Sequence, residues 1–142
     1  MPNIKFEIVT PEKTVLKTEV LQITVPTRMG EITVLPNHIP LVAGLAPGVI
    51  EIIKADGERD IMSLSGGFIE VMKDKVVILA DTAERAEEID SEKADQARQR
   101  AIDSMREMKR FDQEQFIDLS SRISKELARS RAARRWRNLK KI

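Results

Sequence analysis

No cysteine and no tyrosine occur in the 142 residues, and histidine and tryptophan occur once each. Without thiols there is no disulfide framework, no thiolate zinc site and no cysteine nucleophile, which fits a reducing compartment. Glycine and proline stop early: all six of each lie before residue 68. No apolar run approaches the ~18 residues that would read as a membrane span. The opening MPNIKFEIVTPEK lacks a basic start, a long apolar stretch and a small-residue cleavage site, so no signal peptide is expected. The motifs G-x-S-x-G, H-E-x-x-H and the P-loop are also missing. With one histidine among scattered carboxylates, neither a metal site nor catalysis by this chain is expected.

The residues that are present fall into two halves. Residues 1–84 carry 8 basic and 12 acidic groups, and residues 85–142 carry 16 basic and 11 acidic, so net charges of −4 and +5 combine to the overall +1. We place the boundary near Glu84. In the first half Ile4, Phe6 and Ile8 alternate with Lys5 and Glu7, the period of a half-buried strand. Short β-branched runs follow at Val20–Val25, Ile32–Leu35, Val49–Ile53, Ile61–Leu64, Phe68–Met72 and Val76–Leu79. Turn residues separate them at spacings of roughly 8–12, which predicts a sandwich or barrel. Asp56-Gly57 suits a type I′ hairpin turn, and a second turn falls at Lys73-Asp74.

The second half reads as helix. Ala94, Ala97, Ala101, Met105 and Met108 form one apolar stripe, and Phe116, Leu119, Ile123 and Leu127 another. Asp90 suits an N-cap, and Asp112 with Gln115 a capping box. Helices are predicted near 90–108 and 112–138. The fold class is therefore β + α: a small N-terminal sandwich of about ten strands over 1–84, then an antiparallel two-helix hairpin over 85–142. The link KRFDQ contains no helix-stopping glycine or proline, so the break is weakly encoded. Straightened from Asp90 to Leu139, the tail would span about 75 Å, against about 30 Å for the sandwich. The pattern allows either a static hairpin or one that opens.

Three features compete for a role. His38 stands in GEITVLPNHIPL (30–41), a loop stiffened by Pro36 and Pro40. Turn-holding and partner contact outrank catalysis or metal binding there. Ser65-Gly66-Gly67 lacks the first glycine of a nucleophile elbow, and its glycines read as backbone-approach or bulge positions. From Arg122 to Lys141, nine basic residues face one acid, Glu126, with Trp136 among them. Such a segment is a solvated helix face, or it docks on nucleic acid, an anionic membrane or an acidic protein. A carbohydrate-type sandwich is disfavoured because the only tryptophan is in the tail.

GEITVLPNHIPL, APGVIEI (46–52), LSGGFIEV (64–71) and VILADTAERAEEID (77–90) together resemble the epsilon subunit of F-type ATP synthases, over nearly the whole chain. The resemblance implies a non-catalytic central-stalk subunit of a proton-translocating enzyme, peripheral on the cytoplasmic face of a bacterial inner membrane. It implies docking on the gamma subunit and the c-subunit ring through the loop that holds Glu31, Pro36, Asn37 and His38. It implies helices that fold down to permit turnover, or extend towards the alpha and beta subunits to block ATP hydrolysis. Arg122, Arg129, Arg131, Arg134 and Arg135 would then meet an acidic segment of beta. It implies no required cofactor and no nucleic-acid partner. Some members bind ATP as a regulatory ligand through I-D-x-x-R-A. Here Ile89, Asp90 and Ala94 match, Lys93 replaces the arginine without its fork, and Glu84, Arg100 and Arg122 fall at matching positions.

Overall fold

The structure, a computed structural model, describes residues 2–140. Nine strands form the sandwich: β1 (Ile4–Val9), β2 (Thr14–Thr27), β3 (Gly30–Val34), β4 (Leu41–Leu45), β5 (Gly48–Lys54), β6 (Arg59–Leu64), β7 (Gly67–Val71), β8 (Lys75–Ala80) and β9 (Ala83–Arg85). A single 3₁₀ turn, Ala86–Glu88, leads into α1 (Ser91–Arg106) and α2 (Gln113–Lys140). The order of pairing is β1-β8-β7-β4-β2-β5-β6-β9, with β3 also on β2. Only β1 and β8 run parallel; the other pairs among the described residues are antiparallel.

The long strand β2 joins the two layers. Its first half pairs with β1, and its second half pairs with β3 and β5 and touches β4 at Thr27–Leu45. A register shift between Val20 and Gln22 marks where the strand passes from one layer to the other, as bulges do when a sheet turns a corner. The alternation in β1 holds: Ile4, Phe6 and Ile8 are buried with Ile23, Ile50, Leu64, Ile69 and Ile78 in one core. Strand β6 is buried on both faces. Met62 and Leu64 point into the sandwich, and Ile61 points out against the hairpin.

The described residues form nine strands, against about ten expected. The runs read from the sequence omitted Leu41–Leu45 and Ala83–Arg85 and began β2 six residues late. The Asp56-Gly57 turn is also not type I′. Gly57 has φ of +88°, Asp56 has no positive φ, and Gly57 N–H donates to the Lys54 carbonyl at 2.9 Å. That is a three-residue loop with glycine in the bulge position, which needs one positive φ rather than two.

The helices run 91–106 and 113–140, each within two residues of expectation. Asp90 caps α1, accepting from the Glu92 and Lys93 amides at 3.0 and 3.2 Å. Asp112 accepts from the Gln115 amide at 3.1 Å. Immediately before that cap, the Phe111 ring packs on Phe116 with centroids 5.6 Å apart. These are the N′ and N4 positions, so the pair is a hydrophobic staple. The break between the helices is thus set by a cap and a staple rather than by glycine or proline. The far half of α2 lies on β5 and β6, where Ala132 and Ala133 meet Ile61, Ala86 and Ile89, flanked by Val49, Trp136 and Leu139. This second core is small because alanines form its helical side.

Candidate functional site

The 30–41 segment forms β3 and the turn after it. The His38 amide donates to the Leu35 carbonyl at 3.2 Å, with Pro36 and Asn37 between them and Asn37 at φ 65°. Proline at the first central position and a left-handed asparagine at the second is the type II pattern. The ring of His38 faces the Ile39 carbonyl at 2.6 Å through Nδ1. A carbonyl only accepts, so Nδ1 carries the proton. His38 therefore braces its own turn. Glu31 is exposed on β3, opposite Pro26. Around this end, Met29, Leu35 and Ile39 are exposed apolar side chains on stiff backbone. Asn37→Ala should cost about 1 kcal/mol, because alanine resists the left-handed region, whereas Asn37→Gly should be nearly neutral. Urea midpoints of the two variants check this.

A second surface was not legible as such. Registers place Val42 beside Glu70, Phe68 beside Leu79, and Leu79 beside Val9. Val42, Phe68 and Leu79 are 72%, 53% and 53% exposed, on the outer face of the β4-β7-β8-β1 layer. The Arg28 guanidinium lies 5.8 Å from the Phe68 ring centroid. Contiguous exposed apolar side chains on a rigid sheet mark a contact surface. One signal was available: KVVILA in β8 is apolar on both faces, although an antiparallel sheet with one wet face should alternate.

The third element is the basic tail, and most of its arginines are engaged within the chain. Arg129 Nε donates to Glu84 Oε2 at 2.6 Å, and Arg129 Nη1 to Glu126 at 2.9 Å. Burial works against its charge, but the bonds to Glu84 and Glu126 outweigh that and hold the guanidinium above its ordinary value. Arg135 reaches Glu51 on β5 at 2.9 Å, Arg134 reaches Asp95 on α1, and Arg137 donates to Ser91 Oγ at 2.8 Å. Arg122 pairs only with its own-helix neighbour Asp118 at 3.3 Å, and Arg131 is exposed. Lys141 lies outside the described residues.

The residues matched to the ATP motif scatter into several roles. Ile89 is in the second core, Ala94 is buried, and Asp90 already accepts two amides. Lys93 and Arg100 are exposed. Glu84 is held by Arg129 rather than by Arg122, which lies about 10 Å farther along α2 at 1.5 Å per residue. Beside this junction is an open cleft of about 620 Å³, lined by Lys54, Arg59, Asp60, Arg85, Trp136 and Lys140. Asp60 is buried there, 3.8 Å from Lys54 and 3.6 Å from Arg85.

Ser65 is also placed. Its Oγ accepts from the Thr82 amide at 2.9 Å and from the Thr82 hydroxyl at 2.7 Å, pinning two loops together. The glycine after next, Gly67, lies so close to β8 that a Cβ would sit 2.0 Å from the Leu79 carbonyl oxygen. Of the two expected glycine roles, close backbone approach holds at Gly67.

A family profile described as the beta-sandwich domain of the ATP synthase delta/epsilon chain matches residues 3–86. The ATP synthase epsilon chain of Chloroflexus aggregans is 51% identical over 98 residues, covering 69% of this chain and 70% of that one. That of Bacillus subtilis is 45% identical over 101 residues, covering 71% and 76%. Among solved structures, a chain of the Euglena gracilis mitochondrial ATP synthase, in a complex described as OSCP/F1/c-ring, superposes with a TM-score of 0.77 at 28% identity, covering 90% of this chain and 79% of that chain. A chain from the central stalk and c-ring of the Tetrahymena thermophila mitochondrial ATP synthase shares the fold, with a TM-score of 0.62 at 16% identity over 94% and 99% of the two chains. No described helix is long and apolar enough to cross a membrane. This chain belongs to the ATP synthase delta/epsilon chain family.

Proposed function

We propose that this chain is the epsilon subunit of the central stalk of a proton-translocating F-type ATP synthase, and that its helical tail restrains ATP hydrolysis. It has no catalytic role of its own. The observation that carries the reading is the contrast between its two parts. The sandwich is rigid and offers an uncovered apolar face (Val42, Phe68, Leu79) and a stiff turn (Leu35–His38). The tail is attached by a thin alanine contact and by ion pairs. The apolar face and the turn are contact surfaces for the gamma subunit and the c-subunit ring. The tail's arginines are the contact for an acidic segment of beta once α2 leaves the sandwich. In a bacterial cell such a subunit would lie on the cytoplasmic face of the inner membrane, held there by its partners.

A nucleotide at the base of the hairpin finds its carboxylates engaged: Glu84 by Arg129, and Asp90 by two α1 amides. Lys93 adds a charge without a bidentate fork. ATP must displace protein contacts to bind there, which makes it at most a weak regulatory ligand. The folded hairpin is closed by the chain itself.

The test is ATP hydrolysis by a gamma-containing alpha–beta complex, with the full-length chain or a version ending at Glu88. We expect both to bind, and only the full-length chain to slow hydrolysis, severalfold. Failure of either to bind the complex overturns the stalk assignment. Equal hydrolysis with both overturns the inhibitory role of the tail.

A further inference from the structure

To extend, α2 must leave two bodies, the sandwich and α1, and arginines of its second half tie it to both. Arg129 and Arg135 cross to Glu84 and Glu51 of the sandwich. Arg134 and Arg137 cross to Asp95 and Ser91 of α1. On the sandwich side the apolar contact is small: alanines 132 and 133 with the half-buried Trp136 and Leu139; between the helices, Ala94 and Ala101 of α1 and Leu119 and Ala128 of α2 are also buried. Exposed or half-exposed ion pairs are weak singly and are screened by salt. Arranged along one helix, they act together on one event, the release of α2. The three acids come from β5, β9 and α1, and each lies at least 39 residues in sequence from the arginine it meets.

We propose that Glu51, Glu84 and Asp95 serve as an internal acidic partner, occupying the guanidinium groups that an external acidic protein segment would otherwise take. The folded hairpin and the external segment then compete for one row of arginines. This deepens the inhibitory reading of the tail and rests on it. Salt alone cannot reveal such a competition, because it screens both sides. Neutralising the internal acids weakens one side only. Neutralising an arginine weakens both.

The experiment compares the full-length chain with the triple variant Glu51→Gln, Glu84→Gln, Asp95→Asn, and with Arg135→Gln. Opening is read from the emission of Trp136, the only tryptophan, and from the distance between spin labels at positions 12 and 117. At about fivefold per tie, the triple variant should raise the open population about a hundredfold. It should also lower the concentration that half-inhibits hydrolysis by the alpha–beta–gamma complex. Arg135→Gln should open the hairpin with no gain in inhibition. An unchanged urea midpoint of the sandwich shows that the triple variant remains folded. Unchanged emission and label distance in the triple variant overturn the latch. Opening with weaker inhibition than wild type overturns the competition. Opening with no inhibition by any variant, the wild type included, leaves the latch standing and removes the inhibitory role on which the competition depends.

Discussion

Gly67→Ala should remove about 4 kcal/mol or more of the sandwich's stability and leave little folded protein at 37 °C. Two costs add. The φ of Gly67 is +137°, a conformation that alanine adopts only under strain, at roughly 1–3 kcal/mol. The added Cβ would also stand 2.0 Å from the Leu79 carbonyl oxygen and 2.9 Å from the Ala80 Cα. Both obstacles are backbone, so no side chain can rotate away. Relief requires β7 and β8 to separate at the end of their ladder, where Gly67 pairs with Ala80. A domain of about 85 residues has a total stability of about 4–13 kcal/mol at the usual 0.05–0.15 per residue, so the loss is from about a third of it to all of it. Gly57→Ala is the control. Its φ is also positive, at +88°, but a Cβ there meets nothing within 4 Å. It should cost about 1 kcal/mol. Urea denaturation of both variants gives the comparison, and a Gly67→Ala midpoint as close to wild type as that of Gly57→Ala would sink the argument.

The second large effect is on the tail. Ala132→Asp should detach α2 from the sandwich while leaving the sandwich folded. Ala132 is fully buried against Ile61, Ala86 and Ile89. A short carboxylate there has no path to water, and burying an unpaired charge is costly enough that the chain avoids it. Lifting the helix is the cheaper response, because the contact beneath it is thin. We expect the open population to rise by a factor of a hundred or more, equivalent to about 3 kcal/mol. Arg131→Asp, one residue away on the exposed side, changes the charge more and should open the hairpin far less. The emission of Trp136 should move to the red in the first variant only. If the two variants behave alike, net charge rather than the small core governs closure.

Much of this layout was legible because its periods are clean. Ile4-Phe6-Ile8 alternates with Lys5 and Glu7 because one face of β1 is dry, and Asp90 and Asp112 announce helix starts by their cap chemistry. The strand LVAGL was missed because it is five residues long, holds a glycine, and lies between Pro40 and Pro47. The Asp56-Gly57 turn was misread because type is set by loop length, and a dipeptide does not reveal where the flanking ladder ends. The staple at Phe111 and Phe116 is masked in the sequence because Phe116 also fits the apolar stripe of the helix. The partners of the arginines lay beyond reach for a different reason. Glu51, Glu84 and Asp95 meet α2 only through the way the hairpin lies on β5 and β6, and nothing local in any one segment encodes that docking. The apolar outer face was visible only as a failure of alternation in KVVILA and GFIEV.

The double membership of β2 has a mechanical consequence. A rotor part must carry torque from one end to the other without yielding. The fourteen residues of β2 run through both layers and are bonded on one side or the other to β1, β3, β4 and β5. A load drawn along this strand strains its hydrogen bonds together, in shear, so that all must fail at once. The same load applied across a hairpin would part them one at a time, as a zipper opens. The strand therefore acts as a spine, and the sandwich should be stiffest along its length. The tail, attached by separate ties that can release in turn, is by the same logic the compliant part of the molecule.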